Sequence, residues 1–187
     1  MNLLQKIRSR IDEVARFVRG RRVIEDSVRL DFVGNRDQNL FHGVHDSFEA
    51  AQAESYGVAG YDNEASANLY LDHVRVDGSD ILFASGSLQY LPQRLAHYLG
   101  EWSKLPRRIV INITPIHSVQ SYFTVNGIGT AFCAYRVQTH ADLVRGLSPF
   151  GYRMRDHWLN RGKHLTLPLN PALSLDHYSG CCFDLPP

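Results

Sequence analysis

Two short polar loops carry the residues of this chain that are best suited to chemistry. Residues 85–90 (SGSLQY) follow the apolar run 80–84, and residues 114–117 (TPIH) follow the apolar run 108–113. Ligands of open α/β sheets bind beyond the carboxyl ends of the strands, which is where such loops lie. His117 is the candidate general base because imidazole titrates near neutral pH. The alternative is a surface-loop histidine without a catalytic role.

Other polar residues near these loops are candidates for substrate contact. Asn112 ends an apolar run, so its amide either braces the loop or touches a ligand. Tyr122, Phe123 and Asn126 fall in an insertion that could cover a pocket, or they belong to the core. The spacing His42-x-x-His45 is weakly metal-like, but no third ligand is evident, so we expect no metal.

The elements that position these loops read as an α/β unit. Residues 80–84 and 108–113 are apolar runs of strand length, and between them residues 92–103 place Leu95, Leu99 and Trp102 on one helical face. This is a βαβ pattern, and its unbroken apolar strands predict a sheet covered on both faces. A helix is expected to begin at Thr139, and residues 151–158 and 177–184 alternate as two further strands.

The N-terminal region, residues 1–78, is predicted to be helical or irregular and separate from an α/β domain at 79–187. Residues 3–19 have the spacing of an amphipathic helix, and residues 46–55 and 64–71 read as short helices. Residues 28–33 alternate apolar and polar types, which predicts one half-buried strand.

Composition excludes several classes of function. The chain has 187 residues and a net charge of +1, so nothing points to nucleic acid as a partner. No segment reaches the ~20 apolar residues of a membrane span, and the charged start is unlike a signal peptide. A cytoplasmic protein is therefore expected. Its three cysteines have no metal-like spacing and are expected to be reduced.

Several longer segments resemble a family of bacterial class I S-adenosylmethionine-dependent methyltransferases. They include DILFASGSLQYLP (80–92), RRIVINITPIH (107–117), SYFTVNGIGTAFCAYRVQ (121–138), GYRMRDHW (151–158) and SLDHYSGCCFD (174–184), with FHGVHDSFEAAQA (41–53) and GYDNEASANLYLD (60–72) upstream. The resemblance implies a Rossmann-like sheet whose last strand is antiparallel to its neighbours. It also implies an S-adenosylmethionine cofactor and a small-molecule methyl acceptor.

The resemblance assigns the two loops different roles. Residues near the methionine part of the cofactor would be Ser85, Gly86, Ser87, Gln89 and Tyr90. Residues facing the acceptor would be Asn112, Thr114, Tyr122 and Asn126, with His117 as the base.

The chain departs from this family at the cofactor loop. A glycine-rich strand-turn-helix should precede residue 80, but only residues 73–79 separate the two matching segments. Seven residues cannot hold three strand-helix units, since one βαβ unit takes about 30. Residues 30–35 (LDFVGN) offer an Asp and one glycine, but no second glycine and the wrong order. The predicted sheet is therefore truncated, with its first three strand-helix units missing.

The truncation would turn the central strand at 80–84 into an edge strand. Residues 28–33 would then add as a neighbouring strand, or two copies would pair edge to edge as a homodimer.

Three functions remain open: a methyltransferase, a methyltransferase-like binding or assembly module that does not bind the cofactor, and a shortened chain without evolved function. Titration with S-adenosylhomocysteine is the observation that best separates them.

Overall fold

The computed structural model describes Phe32 and residues 38–56, 79–128 and 132–186. The chain divides into two compact units, Met1–Asn35 and Arg36–Pro187. Phe32 is buried and helical, so the predicted strand at 28–33 is wrong at that residue. The rest of that segment, and the helices predicted at 3–19 and 64–71, lie outside the described residues. In chain order, the helices and strands of the second unit are β1 (Gln38–His45), α1 (Phe48–Tyr56), β2 (Ile81–Ser85), α2 (Leu95–Glu101), β3 (Arg108–Thr114), β4 (Tyr122–Ile128), β5 (Phe132–Val137), α3 (His140–Leu147), β6 (Arg153–Asn160) and β7 (Tyr178–Asp184).

A four-stranded mixed sheet with the order β2-β3-β7-β6 forms one half of the unit. β2 and β3 are parallel, whereas β7 is antiparallel to both β3 and β6. β6 consequently runs in the same direction as β2 and β3, and their three carboxyl ends share one edge of the sheet. The predicted α/β class and the predicted antiparallel last strand are confirmed.

One face of this sheet packs on α2 and α3. Leu99 and Leu147 of the two helices meet Ile109, Ile111 and Phe183 of the sheet, and all five are at most 1% exposed. The helix α3 begins as predicted, because the Thr139 side chain accepts a hydrogen bond from the Asp142 main-chain nitrogen and caps the helix.

The opposite face of β2 is open in the part of the chain that the structure describes. Ile81 and Phe83 alternate with buried Leu82 and Ala84 and are 58% and 65% exposed. The prediction that both faces of this strand are covered is therefore wrong. Both α2 and α3 pack on the other face, so the apolar run of β2 serves only one packed layer.

A second, antiparallel sheet has the order β1-β4-β5. The segment predicted as an insertion over a pocket forms its hairpin, β4–β5. β1 pairs with β4, and α1 packs on this sheet through Phe48, which meets Phe123 edge to face. The short helix predicted at 46–55 is confirmed as α1, with Ser47 accepting from the Ala50 main-chain nitrogen at its start.

The domain boundary predicted between residues 78 and 79 stays a prediction, because residues 57–78 lie outside the described part. β1 and α1, which precede it, nevertheless belong to the same compact unit as the later strands. None of the helices in the described ranges is long and apolar enough to cross a membrane.

Candidate functional site

A cavity of about 600 Å³ lies at the sheet edge where β2, β3 and β6 end. This volume is in the range of small-molecule pockets, and the position is where open α/β sheets bind their ligands. Residues from both sheets line it: Leu40, Gly86, Gln89, Tyr90, Ile113, Tyr135, Gly162, Lys163, His164 and Tyr178.

Asn112 joins the carboxyl ends of the three parallel strands. Its Oδ1 accepts hydrogen bonds from Trp158 Nε1 (3.0 Å) and Asn160 Nδ2 (3.1 Å) of β6, and its Nδ2 donates to Ser85 Oγ of β2 (3.4 Å). Its main-chain oxygen also accepts from the Gly86 nitrogen (2.9 Å). Of the two roles left open for Asn112, the structure shows the bracing role.

The backbone at the cavity wall departs from regular strand geometry. Ile113 has a φ of +50°, and the pairing of β3 with β7 shifts register between Ile111 and Thr114. Positive φ is rare for a β-branched residue and is typical of strained positions near functional sites. Gly86 has a φ of +64°, a conformation that glycine adopts without strain.

Three tyrosines form the polar, aromatic wall of the cavity. The Tyr135 hydroxyl donates to the Tyr178 hydroxyl at 2.9 Å, and the Tyr90 ring meets the Tyr135 ring edge to face at 5.0 Å. Burial raises the pKa of Tyr178 to about 12 and raises that of Tyr135 well above its usual value. The phenols are therefore neutral at physiological pH and act as hydrogen-bonding groups.

Two buried amides beside these tyrosines have unused acceptor atoms. Gln89 is 4% exposed and Asn126 is fully buried, and neither side-chain oxygen has a hydrogen-bond partner among the described residues. The Gln89 amide also faces the Tyr135 hydroxyl and opposes the rise in its pKa. Asn126 Nδ2 donates to the Tyr90 hydroxyl at 3.0 Å. Buried polar atoms are usually paired, so such atoms near a cavity suggest a ligand site.

The mouth of the cavity is basic. Lys163 and His164 follow β6 and are exposed. Within the described ranges, no Asp or Glu lines the cavity. A ligand with an acidic group therefore meets a complementary charge there.

The residues predicted for the cofactor loop divide into two groups. Gly86, Gln89 and Tyr90 line the cavity, whereas Ser85 is bound to Asn112 and Ser87 precedes the short 3₁₀ turn Leu88–Tyr90.

Of the residues predicted for the acceptor, Asn126 reaches the cavity wall through Tyr90. The Thr114 hydroxyl donates to the Asn112 main-chain oxygen (3.5 Å), and the buried Tyr122 hydroxyl donates to the Leu173 oxygen (2.6 Å). Neither of these two lines the cavity.

His117 is buried, and both of its ring nitrogens have protein partners. Nδ1 accepts from the Val119 and Gln120 main-chain nitrogens (3.2 and 3.1 Å), so Nε2 carries the proton and faces the Ala172 oxygen at 3.3 Å. A general base needs a free lone pair within reach of its substrate. In this arrangement His117 has none, so its predicted role as base is replaced by that of holding a turn.

Tyr135, Lys163 and His164 were missed by the sequence reasoning, and Tyr178 was interpreted as structural. Tyr135 sits in β5, which pairs with β4 rather than with the mixed sheet, so no local pattern points it at the β2 loop. The only signal was the basic pair directly after a predicted strand.

His42 and His45 acquire a third neighbour that the sequence did not reveal. His42 Nδ1 lies 2.7 Å from one Glu54 carboxylate oxygen, and His45 Nε2 lies 2.7 Å from the other. These are ion-pair contacts that occupy the carboxylate. The described residues contain no group of three or more His, Cys, Asp or Glu arranged to hold a metal ion.

No protein-family model matches the sequence, and no curated protein matches it. Among solved structures, the chain is similar to the 1,6-didemethyltoxoflavin-N1-methyltransferase of Burkholderia thailandensis, crystallised with bound 1,6-didemethyltoxoflavin and S-adenosylhomocysteine. The TM-score is 0.40 and the sequence identity 15%, over 100% of this chain and 92% of that protein.

Proposed function

We propose that this chain is a methyltransferase-like α/β protein that binds a small molecule in the cavity at the strand ends. The observation that carries the proposal is the cavity itself, at the shared carboxyl edge of β2, β3 and β6. The proposed occupant takes the place that a methyl acceptor has in an enzyme of this type.

The lining of the cavity suits a planar aromatic compound with one acidic group. The rings of Tyr90, Tyr135 and Tyr178 favour a flat ring, since aromatic pairs contribute about 0.5–1.5 kcal/mol beyond area burial. The Gln89 oxygen accepts a ring N–H or O–H, after a small rotation that brings it to the cavity surface. Lys163 at the mouth meets the acidic group.

The described residues do not by themselves fit S-adenosylmethionine. The cofactor carries a sulfonium and an ammonium cation and a ribose that an acidic side chain normally holds, but no described Asp or Glu lines the cavity. The Gly86 main-chain nitrogen, which could orient the cofactor, is already bound to Asn112.

Methyl transfer from S-adenosylmethionine is the second candidate. It is favoured by the sequence resemblance and by the strand arrangement, with an antiparallel last strand between two parallel ones. Such a reaction depends chiefly on positioning the acceptor and needs no nucleophile or metal. On this second candidate the cavity would be the acceptor pocket.

Calorimetric titration with benzoate and benzamide tests the first candidate. The two probes have the same ring and nearly the same shape, but only benzoate is charged. We expect benzoate to bind more tightly, and Lys163→Gln to remove most of the difference. Arg161→Gln is the matched control, because Arg161 is an exposed cation in the same turn that does not line the cavity. Equal binding of both probes by the wild type, or equal losses in the two variants, would contradict the assignment.

Titration with S-adenosylhomocysteine separates the two candidates. We expect binding much weaker than low micromolar because the ribose-holding acid is not among the cavity residues. A dissociation constant in the low micromolar range, about −8 kcal/mol, would establish cofactor binding and favour methyl transfer.

A further inference from the structure

A second cavity, of about 490 Å³, lies on the other face of the β1-β4-β5 sheet. Arg136 follows Tyr135 in β5, so the two side chains point to opposite faces of the sheet. Tyr135 lines the strand-end cavity, whereas Arg136 lines this second one, between α1 and the start of α2. We call it the Arg136 pocket; its lining is Asp46, Ser47, Phe48, Glu49, Pro92, Gln93, Arg94, Ala96, His97, Phe123 and Arg136.

Arg136 is a buried cation with no acidic partner among the described residues. It is 7% exposed, and its guanidinium donates to the main-chain oxygens of Leu91 (3.2 Å) and Pro92 (2.6 Å) and lies over the Phe123 ring at 5.2 Å. Its Nε has no hydrogen-bond partner in the described ranges. Buried charges are normally paired because removing them from water is costly, and carbonyl dipoles do not neutralise a full charge.

A second arginine faces the same pocket. Arg94 precedes α2, is exposed, and forms no ion pair with a described residue. Burial, and then repulsion from Arg94, lower the pKa of Arg136 to about 10, so the two cations feel each other across the pocket. Ser47 and Phe48 bring the positive end of the nine-residue helix α1 to the rim.

We propose that the Arg136 pocket binds an oxyanion, a phosphate or carboxylate group, held between Arg136 and Arg94. The anion would relieve the repulsion between the two arginines and pair the buried guanidinium, for which forked, charge-assisted hydrogen bonds are the preferred geometry. Asp46 and Glu49, both exposed on the rim, oppose binding and limit its strength. The site is separate from the strand-end cavity, so it stands independently of the proposed function.

The test is calorimetric titration of the full chain with sodium phosphate and, in a separate arm, sodium succinate, at constant ionic strength set by sodium chloride. We expect saturable phosphate binding with a dissociation constant on the order of 1 mM. Tighter binding of phosphate or of succinate identifies the class of oxyanion. Arg94→Gln should weaken binding about tenfold, the loss of one charge-assisted hydrogen bond. Glu49→Gln should tighten it, because a competing charge is removed.

Two comparisons keep the result decisive. Lys163→Gln removes the cation of the other cavity and should leave phosphate binding unchanged, whereas loss of binding in that variant would place the anion there and overturn the proposal. Arg136→Lys keeps the charge but not the fork, and a weaker affinity is expected with an unchanged circular dichroism spectrum. If that variant misfolds, Arg94→Gln on the surface decides alone. Equal affinity of wild type and Arg94→Gln, or no saturable binding of either oxyanion, would refute the site.

Discussion

The contact between Gly180 and Trp158 leads to the sharpest test of the packing that supports the strand ends. The two residues are directly opposite each other in β7 and β6, and the indole lies across the glycine. A Cβ atom at Gly180 would be 2.1 Å from Trp158 Cε2 and 2.3 Å from its Nε1. Since carbon atoms make contact at about 3.5–4.0 Å, Gly180→Ala must displace the indole by roughly 1 Å or more.

The displacement has two costs. Overpacking of a formed interface costs about 1–3 kcal/mol, and the hydrogen bond from Trp158 Nε1 to Asn112 Oδ1 contributes about 1 kcal/mol. Together they predict a loss of roughly 2–4 kcal/mol in the free energy of unfolding. Strand propensity acts in the opposite direction, since alanine in a strand is generally better than glycine by about 0.5–1 kcal/mol. The direction of the change therefore distinguishes the two effects.

Urea unfolding followed by circular dichroism measures this loss, and the midpoint should fall by about 1–2 M. Gly162→Ala is the matched control, because a Cβ there meets no atom within 4 Å, and we expect a change within about 0.5 kcal/mol. In a Trp158→Ala background, Gly180→Ala should cost little, so a double-mutant cycle isolates the contact. A Gly180→Ala protein as stable as wild type, or an equal cost in both backgrounds, would refute the argument.

Three further predictions follow from the same structure. His117→Ala should lower the free energy of unfolding by about 1–3 kcal/mol because it leaves buried main-chain groups unpaired, whereas His157→Ala, at an exposed site, should change it by less than about 0.5 kcal/mol; equal effects in urea unfolding would contradict the structural role of His117. Burial raises the folded-state pKa of Tyr178 from 10.0 to about 12, so its contribution to stability is complete below pH 10 and is lost as the pH rises through 12; urea midpoints measured from pH 8 to 11 should be flat and then fall, with a smaller fall in Tyr178→Phe. If two copies pair along β2, Phe83→Lys should yield monomers in sedimentation equilibrium without lowering the stability of the monomer, whereas a wild type that is already monomeric would contradict the homodimer.

Local signals in the sequence were enough to predict the parts of the fold that local interactions form. The helix α3 was predicted from the capping residue Thr139, and the structure has that cap. The apolar runs of β2 and β3 predicted a parallel pair, which is observed. The β4–β5 hairpin was not predicted, because β4 is held by pairing with β1, which is about 80 residues earlier, as in the contact of Thr124 Oγ1 with the His42 oxygen. Pairing over such a separation leaves no periodic signal between the two segments.

The candidate site shows the same limit at the level of single residues. Loop position alone correctly placed Gly86, Gln89 and Tyr90 at the cavity, since a loop after a parallel strand must lie at the sheet edge. It could not show that the His117 lone pair is used by two main-chain nitrogens, which depends on the conformation of residues 117–120.

The tyrosine wall also depends on how the two sheets meet. Tyr135 and Tyr178 come from different sheets, and their hydroxyls bond at 2.9 Å only because β5 and β7 bring them to the same cavity. A binding role for such residues is therefore an inference that only the assembled fold supports. The paired variants Tyr135→Phe and Tyr178→Phe connect that inference to the benzoate titration, because each removes one hydroxyl and leaves the ring in place.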